Sequence, residues 1–334
     1  MELSLYVILL CLAAFSILTE SKLLYKWAFI PVLFIFMFIV RFSGFDTDIV
    51  TYSNQFTATG LDFYYLREFV FWLGSRLVYS VFQNDLVSFL FMDLIWIIAM
   101  IKAGNRMSND NKDNLNNALL VVLMTSFPFF FGYENIYRQF YATVFALLSY
   151  SLIESKHSKS ILLFVVAFFM HNIVALLLPL FIIKKIYKFD FPSRIQLAFI
   201  VTLIFASTLT ILATLKSSEQ TGLDLGMYYM LIFVCMLVST AVFFKENIYV
   251  LFYKVPSLFF VSFLMIALVI LGVDMISERL GMMFICFVTY DLYKYSSEIE
   301  VKWKRSLIRL GLLLVFSLPT LYFESSMQFF RQIP

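Results

Sequence analysis

Residues 86–101 read LVSFLFMDLIWIIAMI, an apolar run in which Asp93 is the single charged residue. A helix that crosses a bilayer needs about 17–25 such residues. Hydrophobic residues make up 62% of the 334 positions and charged residues 14%, against about 45–50% and about 25% in a soluble domain. The sequence therefore predicts an all-α, polytopic integral membrane protein.

Comparable apolar runs recur on both sides of this segment. The run at residues 3–18 has no basic n-region and no small-residue cleavage site, so we expect it to be a retained span rather than a signal peptide. We predict one integral membrane domain over residues 1–334, with about ten full transmembrane helices near residues 3–18, 27–41, 86–101, 117–133, 138–153, 196–215, 226–244, 255–273, 278–292 and 306–323.

Two apolar segments do not fit a simple crossing. Residues 67–82 are interrupted by Gly74 and Arg76, which favours a helix lying in the membrane interface, within an outer loop of about residues 42–85. Residues 160–183 are broken by His171 and have lysines at both ends, which favours a re-entrant helical hairpin with His171 at its tip.

The distribution of basic residues predicts the topology. One set of connections holds 18 of the 25 Lys and Arg residues. Cytoplasmic loops carry an excess of basic residues, so this set is predicted to be cytoplasmic and both termini external. The set comprises residues 19–26, 102–116, 154–159, 184–195, 245–254 and 291–309.

Arg138 lies at the predicted outer end of a span, preceded by Asn135 and followed by Gln139. A guanidinium beside the hydrocarbon is costly without an anionic partner, and its fork suits phosphate or carboxylate. The alternative is an arginine that only extends toward the interface. We favour an anion-binding point on the outer face.

Further ionisable groups are predicted near the same face. His171 lies about half a membrane deep, although a lone histidine is often only hydrogen-bonded within a core. Arg279 can bind an anion, or it can pair with Glu278 or Asp274.

Aspartates raise separate questions. Asp46 and Asp48 form a D-x-D pattern, which can hold a metal or supply a base, although paired loop aspartates often serve only solubility. Asp93 lies inside a predicted span, where a carboxylate is expensive. We expect Asp93 to be neutral or paired with an arginine.

Taken in order, these motifs resemble the EpsG-like family of Wzy-type bacterial polysaccharide polymerases. Two positions depart from the family pattern: Asn172, where serine is more frequent, and Phe69, where proline is frequent. The motifs that carry the resemblance are Arg41-x-x-Gly44-x-Asp46 with Tyr52 downstream, Glu68 in an apolar helix, Asn135-x-x-Arg138-Gln139, His171 in an apolar hairpin, and Glu278-Arg279-x-Gly281.

The resemblance implies a GT-C-like fold and an enzyme at the outer face of the bacterial cytoplasmic membrane. Its donor and acceptor would be undecaprenyl-diphosphate-linked oligosaccharide repeat units, with the growing glycan transferred to the non-reducing end of the incoming unit. It also implies membrane lipid and a chain-length regulator protein as partners. No cofactor, metal or nucleic acid is expected.

The same resemblance suggests a role for each polar residue. Asp46 or His171 would act as the base. The expected diphosphate ligands are Arg138, Arg279, Gln139 and Arg41, and the expected supporting residues are Glu68, Asn135, Glu278 and Tyr52.

Other functions remain open from sequence. A GT-C enzyme could add one sugar from a polyprenyl-phosphate donor, with Asp46 and Asp48 holding a metal. A ligase could move finished glycan onto a lipid acceptor. A transporter or flippase for lipid-linked oligosaccharides would use the same arginines during passage, and would predict two related halves, which the sequence does not display. A purely structural membrane subunit is the remaining alternative.

Overall fold

The computed structural model describes residues 2–42, 47–57, 67–105, 118–134, 136–185, 225–244 and 248–322, together with residues 193, 196, 197, 199–205, 207 and 330. All regular structure in these residues is helical. In chain order the helices are α1 (Glu2–Thr19), α2 (Lys22–Phe42, with a π-helical turn at Tyr25–Phe29), α3 (Thr47–Phe56), α4 (Phe69–Phe82), α5 (Asp85–Asn105), α6 (Ala118–Thr125), α7 (Phe127–Glu134), α8 (Tyr137–Leu152), α9 (His157–Met170), a 3₁₀ helix (Asn172–Leu177), α10 (Leu178–Lys185), α11 (Leu225–Phe244), α12 (Ile248–Lys254), α13 (Pro256–Ile270), α14 (Asp274–Ser297) and α15 (Lys302–Tyr322).

The predicted all-helical membrane architecture is confirmed. Within the described residues, five helices are long and apolar enough to cross a membrane: α1, α2, α5, α11 and α15. Helices α4, α9 and α13 are apolar but shorter. The predicted number of ten spans is not reached by this measure, and half of the span expected at 196–215 lies outside the described residues.

The single helix predicted over residues 117–133 is wrong. The chain forms two short helices, α6 and α7, which are interrupted at Ser126. Pro128 is the second residue of α7, and proline lacks the N–H that a helix interior requires, so it is tolerated only in a first turn. At this interruption, the Ser126 hydroxyl donates to the backbone carbonyl of Leu123 at 2.6 Å, near the end of α6.

The chain divides into two compact units: residues 1–175 with 299–334, and residues 176–298. In the first unit, an ion pair joins the end of α1 to the start of α15. Arg305 donates to both carboxylate oxygens of Glu20, at 2.7 and 2.8 Å, and buried Arg309 lies 3.7 Å from the same carboxylate. These contacts hold α1 and α15 antiparallel.

Helices α8 and α9 form an antiparallel hairpin in the first unit. The Ser149 hydroxyl donates to the Ser160 carbonyl at 2.6 Å, and the Ser160 hydroxyl donates to the Ser149 carbonyl at 2.9 Å. Small residues let two helices approach closely within a membrane protein. The hairpin brings the end of α9 next to the start of α8, where Arg138 lies.

The second unit contains a buried ion pair of its own. Lys184 lies 3.4 Å from Asp291, whose other carboxylate oxygen accepts the backbone N–H of Ser257 at 3.2 Å in the first turn of α13. A carboxylate at a helix N-terminus satisfies an otherwise unpaired N–H and complements the helix dipole. Asp291 therefore fastens α10, α13 and α14 together.

Candidate functional site

Three predicted site residues meet at one end of the first unit. We call Glu68, Arg138 and His171 the Glu68 cluster. Arg138 Nη1 lies 2.6 Å from Glu68 Oε2, and His171 Nδ1 lies 3.3 Å from Glu68 Oε1. The backbone N–H of Asn172 donates to the same Oε1 at 3.4 Å. A single carboxylate thus joins a guanidinium and an imidazole.

The ends of three helices build this cluster. Glu68 immediately precedes α4, and Arg138 is the second residue of α8. His171 follows α9 with an extended backbone (φ −158°, ψ 124°), so the predicted break at this residue is present. Helix ends leave backbone groups without intrahelical partners. The Asn172 N–H lies at such an end, and Glu68 accepts it.

Aromatic rings enclose the Arg138 side chain. The guanidinium carbon lies 5.2 Å from the Trp72 ring centroid and 5.9 Å from that of Tyr52. Both rings are buried, and the Arg138 side chain keeps 13% of its surface exposed. Cation–π contacts at such distances are favourable and fix the direction of the guanidinium. Tyr52, expected as a supporting residue, therefore packs against Arg138.

Burial raises the pKa of the Glu68 carboxyl above its ordinary value. The positive charge of Arg138, the Asn172 N–H and the charge of Arg67 act in the opposite direction without cancelling this effect. Burial disfavours the charged form of a carboxyl, whereas nearby cations favour it. Glu68 therefore takes up a proton at a higher pH than an exposed glutamate does.

Another ion pair in the same unit joins Arg41 and Asp93. Arg41 Nε and Nη2 donate to the two carboxylate oxygens at 3.1 Å each. The guanidinium stacks 3.7 Å from the Tyr133 ring centroid. The side chains of the pair are 1% and 2% exposed. The expectation that Asp93 pairs with an arginine is confirmed.

This geometry bears on the expected diphosphate role of Arg41. Asp93 also accepts from Trp96 Nε1 at 3.1 Å and from the Tyr137 hydroxyl at 2.8 Å. A phosphate reaching Arg41 would have to displace a buried, four-times hydrogen-bonded carboxylate. The pair instead holds the first turn of α8, because Tyr137 directly precedes Arg138.

The remaining predicted residues are placed as follows. Gln139 is buried, and its backbone carbonyl accepts a hydrogen bond from the Thr143 hydroxyl at 2.8 Å. Asp46 and Asn135 lie outside the described residues. Glu278 is buried and Arg279 half-buried near the start of α14, in the second unit.

Gly281 of the Glu278-Arg279-x-Gly281 motif has a packing role. A Cβ at this position would lie 2.5 Å from the Tyr229 ring, too close for real atoms. The close approach of α14 to α11 therefore explains why residue 281 is a glycine. Within the described part of the chain, no group of three His, Cys, Asp or Glu side chains could hold a metal.

The sequence predicted an arginine partner for Asp93 but not which arginine, and it did not predict that Glu68 pairs with Arg138. Asp93 is 52 residues from Arg41, and Glu68 is 70 residues from Arg138, so spacing carries no signal of either contact. The lone carboxylate inside an apolar run was the one available sign for Asp93. Arg67, next to Glu68, carried no sign at all.

Comparison with known proteins identifies the family. A sequence model of the EpsG family matches residues 25–333, almost the whole chain. No curated protein and no solved structure matches the chain. With this match and its membrane-spanning helices, the chain belongs to the EpsG family and is a membrane protein related to polysaccharide biosynthesis.

Proposed function

We propose that this protein is a glycosyltransferase that polymerises undecaprenyl-diphosphate-linked oligosaccharide repeat units, transferring the growing glycan to the non-reducing end of the incoming unit. Membership of the EpsG family supports the reaction class. The observation that carries the proposal is the Glu68 cluster, where a guanidinium and an imidazole share one carboxylate. Such a set suits an anionic leaving group and a proton transfer.

The reaction needs one nucleophile and one leaving group. An acceptor hydroxyl attacks the anomeric carbon of the growing glycan, forming the new C–O bond. The bond from that carbon to the diphosphate oxygen breaks, and undecaprenyl diphosphate leaves with the electron pair. The hydroxyl proton passes to a base. Negative charge therefore develops on the diphosphate while the attacking hydroxyl loses its proton.

Arg138 is the proposed diphosphate ligand. Preorganised donors aimed at developing charge lower the barrier, and their removal typically costs about 10²–10³ in rate. Glu68 and the rings of Tyr52 and Trp72 fix the Arg138 guanidinium before substrate arrives. Gln139 and Arg279 remain proposed as further ligands, and Arg41 as a residue that positions α8.

His171 is the proposed base, with Asp46 as the alternative. Two contacts engage Nδ1 of His171: Glu68 Oε1 at 3.3 Å and the backbone N–H of Ile173 at 3.3 Å. Nδ1 can either donate its own hydrogen to Glu68 or accept the Ile173 N–H, but not both. We assign the first arrangement to the reactive state, because it leaves the lone pair of Nε2 to accept the proton of the acceptor hydroxyl. The Glu68 carboxylate then stabilises the imidazolium, as carboxylate–histidine pairs do in hydrolases.

The proposed location is the bacterial cytoplasmic membrane, with the site facing outward and a GT-C-like arrangement of helices. Support comes from the excess of Lys and Arg in the connections on the other side. A chain-length regulator remains a proposed partner.

The test is glycan chain length in a host that makes the matching repeat unit but lacks its own polymerase. Wild type, Arg138→Ala, Lys102→Ala and empty vector are compared at matched membrane abundance. Lys102 is an exposed cation at the far end of α5 and serves as the control. We expect a ladder from wild type and Lys102→Ala, and single repeat units from Arg138→Ala. Single units from wild type would refute the proposal.

A further inference from the structure

Arg67 adjoins the Glu68 cluster and was not among the expected site residues. It directly precedes Glu68 and is exposed. With the Asn172 amide oriented so that its oxygen faces Arg67, that oxygen accepts from Nη2 at 3.1 Å and also contacts Nε. Asn172 itself follows His171. Arg67 therefore contacts the same break between helices, after α9, at which the proposed base His171 lies.

Glu68 lies under the influence of two guanidiniums. The charges of Arg138 and of Arg67 both favour its ionised form, and Arg138 has the larger influence. One carboxylate can neutralise only one of two cations. The two arginines thus bring more positive charge to this end of the first unit than Glu68 itself balances.

The surroundings of the two guanidiniums differ. Arg138 is half-buried, ion-paired and enclosed by Tyr52 and Trp72. Arg67 is exposed and is held by a neutral amide, a contact that leaves its charge uncancelled. A guanidinium has five N–H donors, so each can keep its protein contact and still donate to an oxyanion.

We propose that Arg67 and Arg138 form a two-arginine clamp for a diphosphate, each guanidinium binding one of its two phosphoryl groups. The inference rests on the proposed function, since it names a further ligand of the same lipid-linked substrate. The clamp makes the site selective for a diphosphate over a monophosphate, which needs only Arg138. Arg67 is the exposed arginine of the clamp, so its substitution should change substrate binding without disturbing the fold.

The test measures binding rather than polymerisation. Purified full-length protein in nanodiscs is titrated with undecaprenyl diphosphate, undecaprenyl monophosphate and inorganic pyrophosphate. Wild type is compared with Arg67→Ala, Arg67→Lys and the control Lys102→Ala. We expect Arg67→Ala to lower the affinity for undecaprenyl diphosphate about tenfold, or about 1.4 kcal/mol. The affinity for the monophosphate should change less than about twofold. Pyrophosphate should show the same dependence on Arg67 at lower affinity. Arg67→Lys, which keeps the charge but loses the fork, should lie between Arg67→Ala and wild type.

Three results would overturn the clamp. The first is unchanged diphosphate affinity in Arg67→Ala. The second is an equal loss of affinity for both lipid phosphates, and the third is an equal loss of affinity in Lys102→Ala, because either of these would mean general electrostatic attraction. Failure of the polymerase proposal looks different: wild type would then bind undecaprenyl diphosphate in an Arg67-dependent way but give no glycan ladder. Conversely, a ladder without Arg67-dependent binding would leave the polymerase intact and remove the clamp.

Discussion

Two of the arginine–carboxylate pairs in the first unit differ in how far the protein encloses them. Arg41 meets Asp93 through both arms of its fork, and the pair is almost fully enclosed. Arg138 Nη1 lies 2.6 Å from Glu68 Oε2, and both side chains keep some exposed surface, as does the neighbouring His171. The closed pair is suited to holding helices together, and the open pair to receiving a substrate.

The two pairs are coupled through consecutive residues of α8. Tyr137 donates to Asp93, while Arg138 contacts Glu68. A shift in the closed pair therefore moves the turn that carries the open one. Charge type alone therefore does not mark a ligand. The exposure of the ion pair decides which arginine an anion can reach.

The largest effect is expected from breaking the closed pair. Asp93→Asn leaves Arg41 buried without its counter-charge, and removing one partner of a buried pair costs about 3–5 kcal/mol. The amount of folded protein and its unfolding temperature should fall sharply, as measured by size-exclusion chromatography and thermal unfolding in detergent. Replacing both partners, as Arg41→Met with Asp93→Leu, should restore most of the folded protein. Normal stability of Asp93→Asn alone would show that the closed pair does not hold the fold.

The open pair should respond in activity instead. His171→Ala removes the proposed base, and a positioned base contributes about 10²–10⁴-fold. The polymerisation rate should fall in that range, while the folded amount is retained, because the His171 side chain is 18% exposed. His157→Ala, at the other end of α9 and exposed, is the matched control. A full ladder from His171→Ala would transfer the role of base to Asp46.

A smaller effect is expected from the connection between the pairs. Tyr137→Phe removes one hydrogen bond to the Asp93 carboxylate, and bonds to charged groups contribute about 1.5–3 kcal/mol. Tyr133→Phe removes a bond to the neutral Met37 carbonyl and should cost about 0.5–1.5 kcal/mol. Thermal unfolding of the two variants gives the comparison. Equal costs would mean that Tyr137 does not support a charged group.

The smallest effect concerns pH. Burial raises the pKa of Glu68, so its carboxylate is lost at a higher pH than that of an exposed glutamate as the pH falls. The ion pair with Arg138 is lost when Glu68 takes up a proton. As the pH falls, the polymerisation rate of wild type should begin to decline at a pH above the ordinary pKa of a glutamate. In Glu68→Gln the rate should be lower throughout and should lack this part of the decline. Identical pH profiles would contradict a role for the Glu68 charge.

Sequence predicted the class of fold well because hydrophobic run length depends only on local composition. The break at His171 and the short helix α4 were also local features. The division of residues 117–133 into two helices was missed, although Ser126 and Pro128 are local signs of it.

The candidate site was predicted by residue type but not by partnership. Arg138, His171 and Glu68 were each singled out, yet nothing in their spacing showed that one carboxylate joins them. Arg41 was grouped with the diphosphate ligands because of the family resemblance. Its stacking on Tyr133 and its bond to Asp93 depend on packing between α2, α5 and α7, which sequence does not report.

The most direct test replaces each arginine by lysine, which keeps the charge and removes the fork. Folded abundance and glycan chain length are measured in parallel for Arg41→Lys and Arg138→Lys. We predict that Arg41→Lys loses folded protein, whereas Arg138→Lys keeps its abundance and loses the ladder. A ladder that survives Arg138→Lys at normal length, or an Arg41→Lys protein that is stable but inactive, would contradict the division between a closed structural pair and an open substrate-binding pair.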